Sequence, residues 1–237
     1  MFWFFYDYWY LVLVVPAMLF ALIASLLVNT TFEKYAKQRS LRGLTGAEAA
    51  RRVLDANGLT NVRVERVPGK LTDHYDPRSN TIFLSDSVYG NASTAAIGVA
   101  AHEAGHAVQH ATGYLPIKVR MAIIPVTNIG SRLAIPLILL GFLFGAWYGN
   151  YLLAYIGIAC FSLTAVFQLV TLPTEFNASR RAMNALSTGG ILNHDELRGA
   201  RKVLTAAAMT YVAALAVSLA QLLRLILIVS GNSRRRG

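Results

Sequence analysis

Residues 102–106 have the sequence His102-Glu103-Ala104-Gly105-His106, which is the most informative stretch of the chain. Two histidines four residues apart lie on one face of a helix, one turn above the other, so both imidazoles can reach one metal ion. A glutamate beside the first histidine is well placed to take a proton from metal-bound water. The stretch therefore predicts a helix that carries two zinc ligands and a general base.

The residues around this stretch are small and apolar on every side. They are Ile97, Val99, Ala100, Ala101, Ala104, Ala107 and Val108. A helix that is apolar all round is buried, so its histidines and glutamate need polar partners, which a metal supplies. Ser93 or Asn91 is predicted to cap the helix, and Gly113 to end it.

The segment before this helix predicts a small α+β domain. Thr45-Gly46-Ala47-Glu48 is a capping box, and the helix it opens runs to Ala56 before Gly58. Alternating or β-branched residues predict strands at 62–65, 71–75 and 81–84, with a turn at 76–80. The strand 81–84 could pair with an extended substrate or be an ordinary packed strand, and both interpretations stay open.

Long apolar runs predict a membrane protein. The chain has 237 residues, 55% of them hydrophobic, and a mean hydropathy of +0.45. Four runs approach the length needed to cross a bilayer: 8–28, two within 133–174 that are separated at Tyr148-Gly149-Asn150, and 203–223. A signal peptide is the alternative for the first run, but no basic residue precedes it and no small-residue cleavage site follows.

We therefore expect a mainly α membrane protein, with about four transmembrane helices and a small α+β zincin-like cytoplasmic domain. The predicted segments are an N-terminal transmembrane helix (1–32), the catalytic region (33–132), a transmembrane hairpin (133–173), a helical segment (174–206), and a C-terminal transmembrane helix with a basic tail (207–237). Arg224 is expected to snorkel at the end of the last span. Cys160 is the single cysteine, so no intramolecular disulfide can form.

The net charge of +10 is attributed to cytoplasmic loops and not to nucleic-acid binding, because basic residues cluster beside the spans. Asp7 precedes the first span, Arg132 is taken to flank the base of the hairpin, and the hairpin tip carries no charge. The other basic residues in this argument are Lys34, Lys37, Arg39, Arg42, Arg180 and Arg181. This asymmetry predicts that the N-terminus lies outside the cell and that the site faces the cytoplasm. Only Arg234, Arg235 and Arg236 do not fit this orientation, because it places them outside.

A third protein ligand completes a catalytic zinc site and leaves one position for water. His110 is two helical turns from His102, about 12 Å along the axis, so one continuous helix cannot bring both to one ion. His110 is therefore interpreted as a packing or supporting residue. Glu175 is favoured because it directly follows the hairpin on the side of the motif, where Thr174 is expected to cap a helix that ends at Gly189. A glutamate that merely favours a helix N-terminus is the alternative.

Three separated motifs resemble the YugP-type membrane zinc metallopeptidases over nearly the whole chain. They are Thr72-Asp73-His74-Tyr75-Asp76-Pro77, His102-Glu103-Ala104-Gly105-His106-Ala107-Val108-Gln109, and Leu172-Pro173-Thr174-Glu175-Phe176-Asn177-Ala178-Ser179. The arrangement is more distantly similar to HtpX-type and CAAX prenyl proteases. In those, an aspartate follows the glutamate ligand by four residues, where this chain has Ser179.

The resemblance implies a peptidase. We expect an integral-membrane zinc endopeptidase of the gluzincin type in a bacterial cell membrane, with peptides or membrane proteins as its substrate class. We expect one Zn²⁺ per chain on His102, His106 and Glu175, with Glu103 as general base. Residues that could support the ligands or the transition state are His74, Tyr75, His110, Asn177, Ser179 and Arg180, and further candidates are His194 and Tyr211.

The sequence leaves two other classes of function to consider. A membrane scaffold with a structural or inactive metal site is the main alternative, although a structural site needs no acid beside its first ligand. An ion transporter would need polar groups inside its spans, and the hairpin has only Gln168, Asn150 and a few hydroxyls. The physiological substrate, the oligomeric state and any accessory protein are not implied.

Overall fold

The computed structural model describes residues 7–234, so the first six residues and the predicted basic-tail residues Arg235 and Arg236 lie outside the described residues. The elements follow in this order: a π-helical turn Tyr10–Val14, α1 Val15–Ala36, α2 Gly46–Ala56, β1 Arg63–Val67, β2 His74–Asp76, β3 Thr81–Ser85, α3 Thr94–Ala111, α4 Leu115–Tyr148, α5 Leu152–Thr188 and α6 His194–Arg234. Four of these helical segments are long and apolar enough to cross a membrane. The mainly α fold with four candidate spans is confirmed, whereas the zincin-like and cytoplasmic assignments stay predictions.

Contacts divide the chain into two compact units. The hydrophobic unit comprises Met1–Ile23, Val119–Leu172 and Thr210–Gly237, and the motif unit comprises Ala24–Lys118 and Pro173–Met209. Each unit has its own cluster of buried apolar side chains. The five segments inferred from the sequence stay a prediction.

The sheet of the motif unit has three strands in the order β1-β3-β2. β3 pairs in parallel with β1, from Arg63 opposite Thr81 onward, and antiparallel with β2, where His74 lies opposite Phe83. β3 is thus the central strand, and both of its edges are hydrogen-bonded. The interpretation of residues 81–84 as a strand for substrate pairing is wrong for this reason, since a central strand has no free edge.

The predicted helix caps in the motif unit are largely confirmed. Thr45 and Glu48 form the capping box of α2. Ser93, and not Asn91, caps α3 by accepting a hydrogen bond from the backbone N–H of Ala96. Gly113 follows the end of α3 with a φ of +64°, a conformation that favours glycine. These signals fix both ends of the motif helix, which is buried along most of its length.

The first helix of the hairpin in the hydrophobic unit is longer than predicted. α4 begins at Leu115, and its candidate span extends to Gly145. Gly130 on α4 faces Cys160 and Leu163 on α5, and Ala134 faces Gly157. Arg132 therefore lies alongside the middle of the charge-free part of α5, and its assignment to the base of the hairpin is wrong. A charged residue usually marks the end of a span, but here helix packing continues past Arg132 through small residues.

The helix that carries Glu175 does not begin at Thr174 as predicted. α5 runs without interruption from Leu152 to Thr188, with Pro173 in its interior, and ends directly before Gly189. Thr174 is fully buried within this helix and does not cap it. A proline removes one backbone donor and usually marks a helix boundary, but here the helix tolerates it.

The prediction that Arg224 snorkels at the end of the last span is also wrong. α6 continues past it to Arg234, and the Arg224 side chain is buried within the hydrophobic unit. Its Nε and Nη2 atoms donate to Oδ2 of Asp7 at 2.9 and 2.7 Å, and its guanidinium lies 5.3 Å from the centre of the Tyr10 ring. A buried charge is retained where an opposite charge and hydrogen bonds compensate for its lost hydration.

Candidate metal centre

The three predicted ligands come together in the motif unit. One nitrogen from each of His102 and His106 and one carboxylate oxygen of Glu175 all lie within 4.8 Å of one another. The Nε2 atoms of His102 and His106 are 3.3 and 3.6 Å from Oε2 of Glu175. Among the residues 7–234, no other set of three such side chains has this spacing.

These separations fit a tetrahedral zinc site. Zinc bonds of about 2.0–2.2 Å at tetrahedral angles hold neighbouring ligand atoms about 3.3–3.6 Å apart. Two imidazoles and one carboxylate are also the donor set of one class of catalytic zinc, in which a fourth position remains for water. Both the spacing and the chemistry of His102, His106 and Glu175 therefore suit Zn²⁺.

Close packing of α3 on α5 accounts for this convergence. A β-carbon on Gly105 would lie 2.7 Å from the backbone oxygen of Ala178, a distance that a real side chain does not tolerate. Ala178 and Ala182 are both fully buried, so small residues line both sides of the crossing. The glycine within the motif thus allows α5 to approach closely enough for Glu175 to reach both histidines.

Gln109 fixes the orientation of His106. Its side-chain nitrogen donates to the Thr174 carbonyl at 2.8 Å and to Oδ1 of Asn177 at 3.0 Å. Its Oε1 atom therefore faces Nδ1 of His106, at 3.0 Å, and can only accept. Nδ1 must carry the proton, which leaves the lone pair of Nε2 directed toward Glu175 and available to a metal.

Ser179 takes the equivalent position beside His102. Its hydroxyl oxygen lies 3.1 Å from Nδ1 of His102, so an Nδ1–H group can donate to it while Nε2 faces Glu175. Ser179 follows Glu175 by one helical turn, where the HtpX-type pattern has an aspartate. A neutral hydroxyl therefore occupies the place of that carboxylate, and it gives a weaker hydrogen bond than a charged group would.

Charge at the site is arranged around His106. Burial opposes protonation of this imidazole, but the hydrogen bond to Glu175 and the negative charges of Glu103 and Glu175 outweigh that effect and raise its pKa. Glu103 follows the first histidine on α3 and is itself buried, with 8% of its surface exposed. The two carboxylates thus favour positive charge at this point, whether a proton or a metal cation supplies it.

The remaining predicted site residues have contacts of their own. His74 is exposed and stacks on Phe83 at 5.0 Å between ring centres. The Tyr75 hydroxyl donates to Asn80, and the Tyr75 ring lies against His110 at 6.1 Å. The structure does not bring these three into the His102–His106–Glu175 cluster, and their supporting roles stay predictions.

The other candidates differ in their surroundings. Arg180 and His194 are exposed, and Tyr211 belongs to the hydrophobic unit. Asn177, in contrast, contributes directly to the support of His106 through Gln109. Of the supporting residues predicted from the sequence, the structure thus brings Asn177 and Ser179 into contact with the cluster or its immediate partners.

Two residues of this network were missed in the sequence. They are Gln109 and Arg181, whose Nε atom donates to Oδ1 of Asn177 at 2.8 Å. A signal was available for Gln109, because it lies one turn after His106 on the same face of an otherwise apolar helix. A fully buried amide must find partners, and the imidazole of His106 lies within reach of it on the same helix.

Comparison with known proteins agrees with this geometry. The family model described as "Putative neutral zinc metallopeptidase" matches residues 10–230. The chain belongs to this family. It is similar to the "Putative membrane protease YugP" of Bacillus subtilis (strain 168), with 47% identity over 219 residues that cover 92% of this chain and 96% of that protein. No solved structure matches the chain. The resemblance inferred from the motifs is confirmed, and the family and the relative support a membrane-bound zinc metallopeptidase.

Proposed function

We propose that the chain is an integral-membrane zinc endopeptidase of the gluzincin type, with one Zn²⁺ per chain held by His102, His106 and Glu175. The observation that supports this most strongly is the convergence of three ligand-type atoms within 4.8 Å, next to the buried acid Glu103. A scaffold with a structural metal site would have no use for a second buried carboxylate beside its ligands, and burial makes such a group costly to retain.

When bound, Zn²⁺ would polarise the substrate carbonyl and make the attacking water more acidic. Glu103 takes the proton from that water and passes it to the amine that leaves when the peptide bond breaks. Gln109 and Ser179 hold the Nδ1 protons of the two histidines, which keeps both Nε2 lone pairs available. Glu175 supplies the one negative charge in the ligand set.

The substrates are proposed to be peptides or membrane proteins, because the four candidate spans support a membrane protein. We also propose a multi-pass topology in a bacterial cell membrane with the site on the cytoplasmic side. The basic residues between the first two candidate spans support that orientation.

Cysteine labelling of intact cells tests the orientation. In a Cys160→Ala background, Tyr148→Cys at the exposed hairpin tip should react with an impermeant thiol reagent, whereas Thr60→Cys, also exposed, should react only after the cells are opened. The reverse pattern would assign the site to the opposite side of the membrane.

The peptidase activity is tested by Glu103→Gln, which keeps the shape of the side chain but cannot accept the proton. Purified protein should retain its zinc and lose cleavage of a labelled unfolded protein by about 10²–10⁴-fold, the range for loss of a general base. Glu65→Gln, a change at an exposed ion pair, is the control and should remain active. If Glu103→Gln cleaves at the wild-type rate, or if the wild type binds zinc but cleaves nothing, the metal site is not that of a peptidase.

A further inference from the structure

Arg132 is an unusual residue in the hydrophobic unit. It is exposed on α4 and lies between Gly130 and Ala134, which face Cys160, Leu163 and Gly157 on α5. Among the residues 7–234, it has no ion pair or side-chain hydrogen bond. Arg224 in the same unit, by comparison, is buried against Asp7.

The depth of Arg132 follows from the helix pairing. The part of α5 within the hydrophobic unit, from Leu152 to Leu172, is about 30 Å long, which matches the hydrocarbon thickness of a bilayer. Arg132 lies alongside its middle, about 12–18 Å from either end by helical rise. An extended arginine side chain is shorter than this, so its guanidinium cannot reach the lipid phosphates at either surface by snorkelling.

Further polar groups lie on the same part of α4. Asn128 is one turn before Arg132 and is also exposed. Pro136 is one turn after it inside the helix and has no N–H to donate to the Arg132 carbonyl. Ile129 and Ile135, each 62% exposed, lie on either side. We call the group formed by Asn128, Arg132 and the Arg132 carbonyl the mid-span patch.

We propose that the mid-span patch binds a partner transmembrane helix that carries an aspartate or glutamate near its midpoint. A carboxylate would pair with the guanidinium in a medium where unpaired charge is strongly disfavoured, and Asn128 would donate a further hydrogen bond. The flanking isoleucines would pack against the apolar turns of that helix.

A second copy of this chain does not supply a carboxylate near the middle of a span. Residues 1–23, 119–172 and 210–237, which form the hydrophobic unit, contain a single acidic residue, Asp7. That carboxylate already accepts two hydrogen bonds from Arg224. The carboxylate for Arg132 must therefore come from a different protein. This inference does not depend on the peptidase activity.

Synthetic transmembrane peptides test the proposal on the full chain. The protein, as a Cys160→Ala, Tyr148→Cys variant with a fluorescent donor at the hairpin tip, is reconstituted in phosphatidylcholine vesicles. Acceptor-labelled apolar helices carry a single Glu or Gln at the midpoint, and energy transfer is titrated. The Glu peptide should bind roughly three- to thirtyfold more tightly than the Gln peptide, the range expected for polar contacts between membrane helices.

Variants of Arg132 identify the source of the preference. Arg132→Gln should abolish the preference for the Glu peptide over the Gln peptide, and Arg132→Lys should retain this preference. Arg132→Glu should instead favour a peptide with a central Lys. Leu219→Gln, at an exposed apolar position on α6, is the matched control and should leave it unchanged. Thermal unfolding of each variant shows that the fold is kept, which is expected because Arg132 is exposed.

Three results would overturn the proposal. The first is equal binding of the Glu and Gln peptides by the donor-labelled protein without a change at Arg132. The second is loss of the preference when phosphatidylglycerol is added, because the guanidinium would then bind a lipid phosphate. The third is Arg132-dependent self-association without any peptide, which would make the patch an interface between copies of this chain.

Discussion

The buried polar side chains of the motif unit and those of the hydrophobic unit have different kinds of partners. In the motif unit, Gln109, Thr174 and Glu175 are almost fully buried, and their hydrogen bonds connect to a cluster whose ligand-type atoms converge on one point. In the hydrophobic unit, buried Arg224 pairs with Asp7 and lies over the Tyr10 ring. The two opposite charges of this ion pair neutralise each other. The cluster in the motif unit therefore favours binding of a cation, whereas the Asp7–Arg224 pair has no net charge.

This difference separates a functional polar network from a structural one. A buried ion pair with both charges matched can hold two helices together but offers nothing to a ligand. The cluster of His102, His106 and Glu175, with Glu103 beside it, combines two carboxylates with two imidazoles whose lone pairs converge. The comparison therefore predicts that changes in the two networks have different consequences, loss of stability in one and loss of metal in the other.

The largest effect is expected from breaking the Asp7–Arg224 pair. Arg224→Met leaves the partly buried Asp7 carboxylate without its guanidinium partner, so the free energy of unfolding in a fixed detergent should fall by up to about 3–5 kcal/mol. The folded variant should keep its full zinc content. Replacing both residues, as Asp7→Leu with Arg224→Met, should recover much of the loss. A variant that stays as stable as the wild type but loses zinc would contradict the comparison.

An intermediate effect is expected at Gln109. Gln109→Leu removes the acceptor that holds the Nδ1 proton of His106, and zinc affinity should fall about 10–100-fold, as for other residues that orient a metal ligand. Competition with a fluorescent zinc chelator measures this. Gln221→Leu, beside Arg224 in the other unit, is the matched control and should bind zinc as the wild type does. Equal affinities for the two variants would remove Gln109 from the site.

The smallest effect is expected at Ser179. Its hydroxyl is a neutral partner for His102, so Ser179→Ala should weaken zinc binding by less than about tenfold. Ser179→Asp would restore the carboxylate of the HtpX-type pattern and should bind zinc at least as tightly as the wild type. Competition with the same zinc chelator measures this. If Ser179→Ala loses more zinc affinity than Gln109→Leu, Ser179 is more important than Gln109 for holding the histidines.

The sequence was sufficient to predict features governed by local rules. The capping box at Thr45, the cap at Ser93 and the buried motif helix each follow from residue types at fixed spacing. The proximity of Glu175 to the histidines was also predicted, because the hairpin returns the chain to the side of the motif. Periodicity and spacing are strong guides where one helix or one turn decides the result.

Features that depend on packing between elements were not predictable in this way. The central position of β3 depends on which strands pair, and a short chain segment does not encode that pairing locally. The depth of Arg132 depends on the register of α4 against α5, which is set by contacts at Gly130 and Gly157. The role of Gln109 depends on Thr174 and Asn177, which lie on a different helix. In each case the deciding contact joins residues that are distant in sequence.

Zinc stoichiometry in Glu175→Gln tests the central claim most directly. The amide keeps the shape of the side chain but is a poor metal ligand, so zinc occupancy should fall well below one per chain while the protein remains folded. Glu196→Gln is the matched control, because Glu196 is also buried but accepts from the backbone N–H groups of Leu41 and Asn193. That variant should lose stability and keep its zinc. Full zinc in Glu175→Gln together with loss of zinc in Glu196→Gln would contradict the assignment of Glu175 as the third ligand.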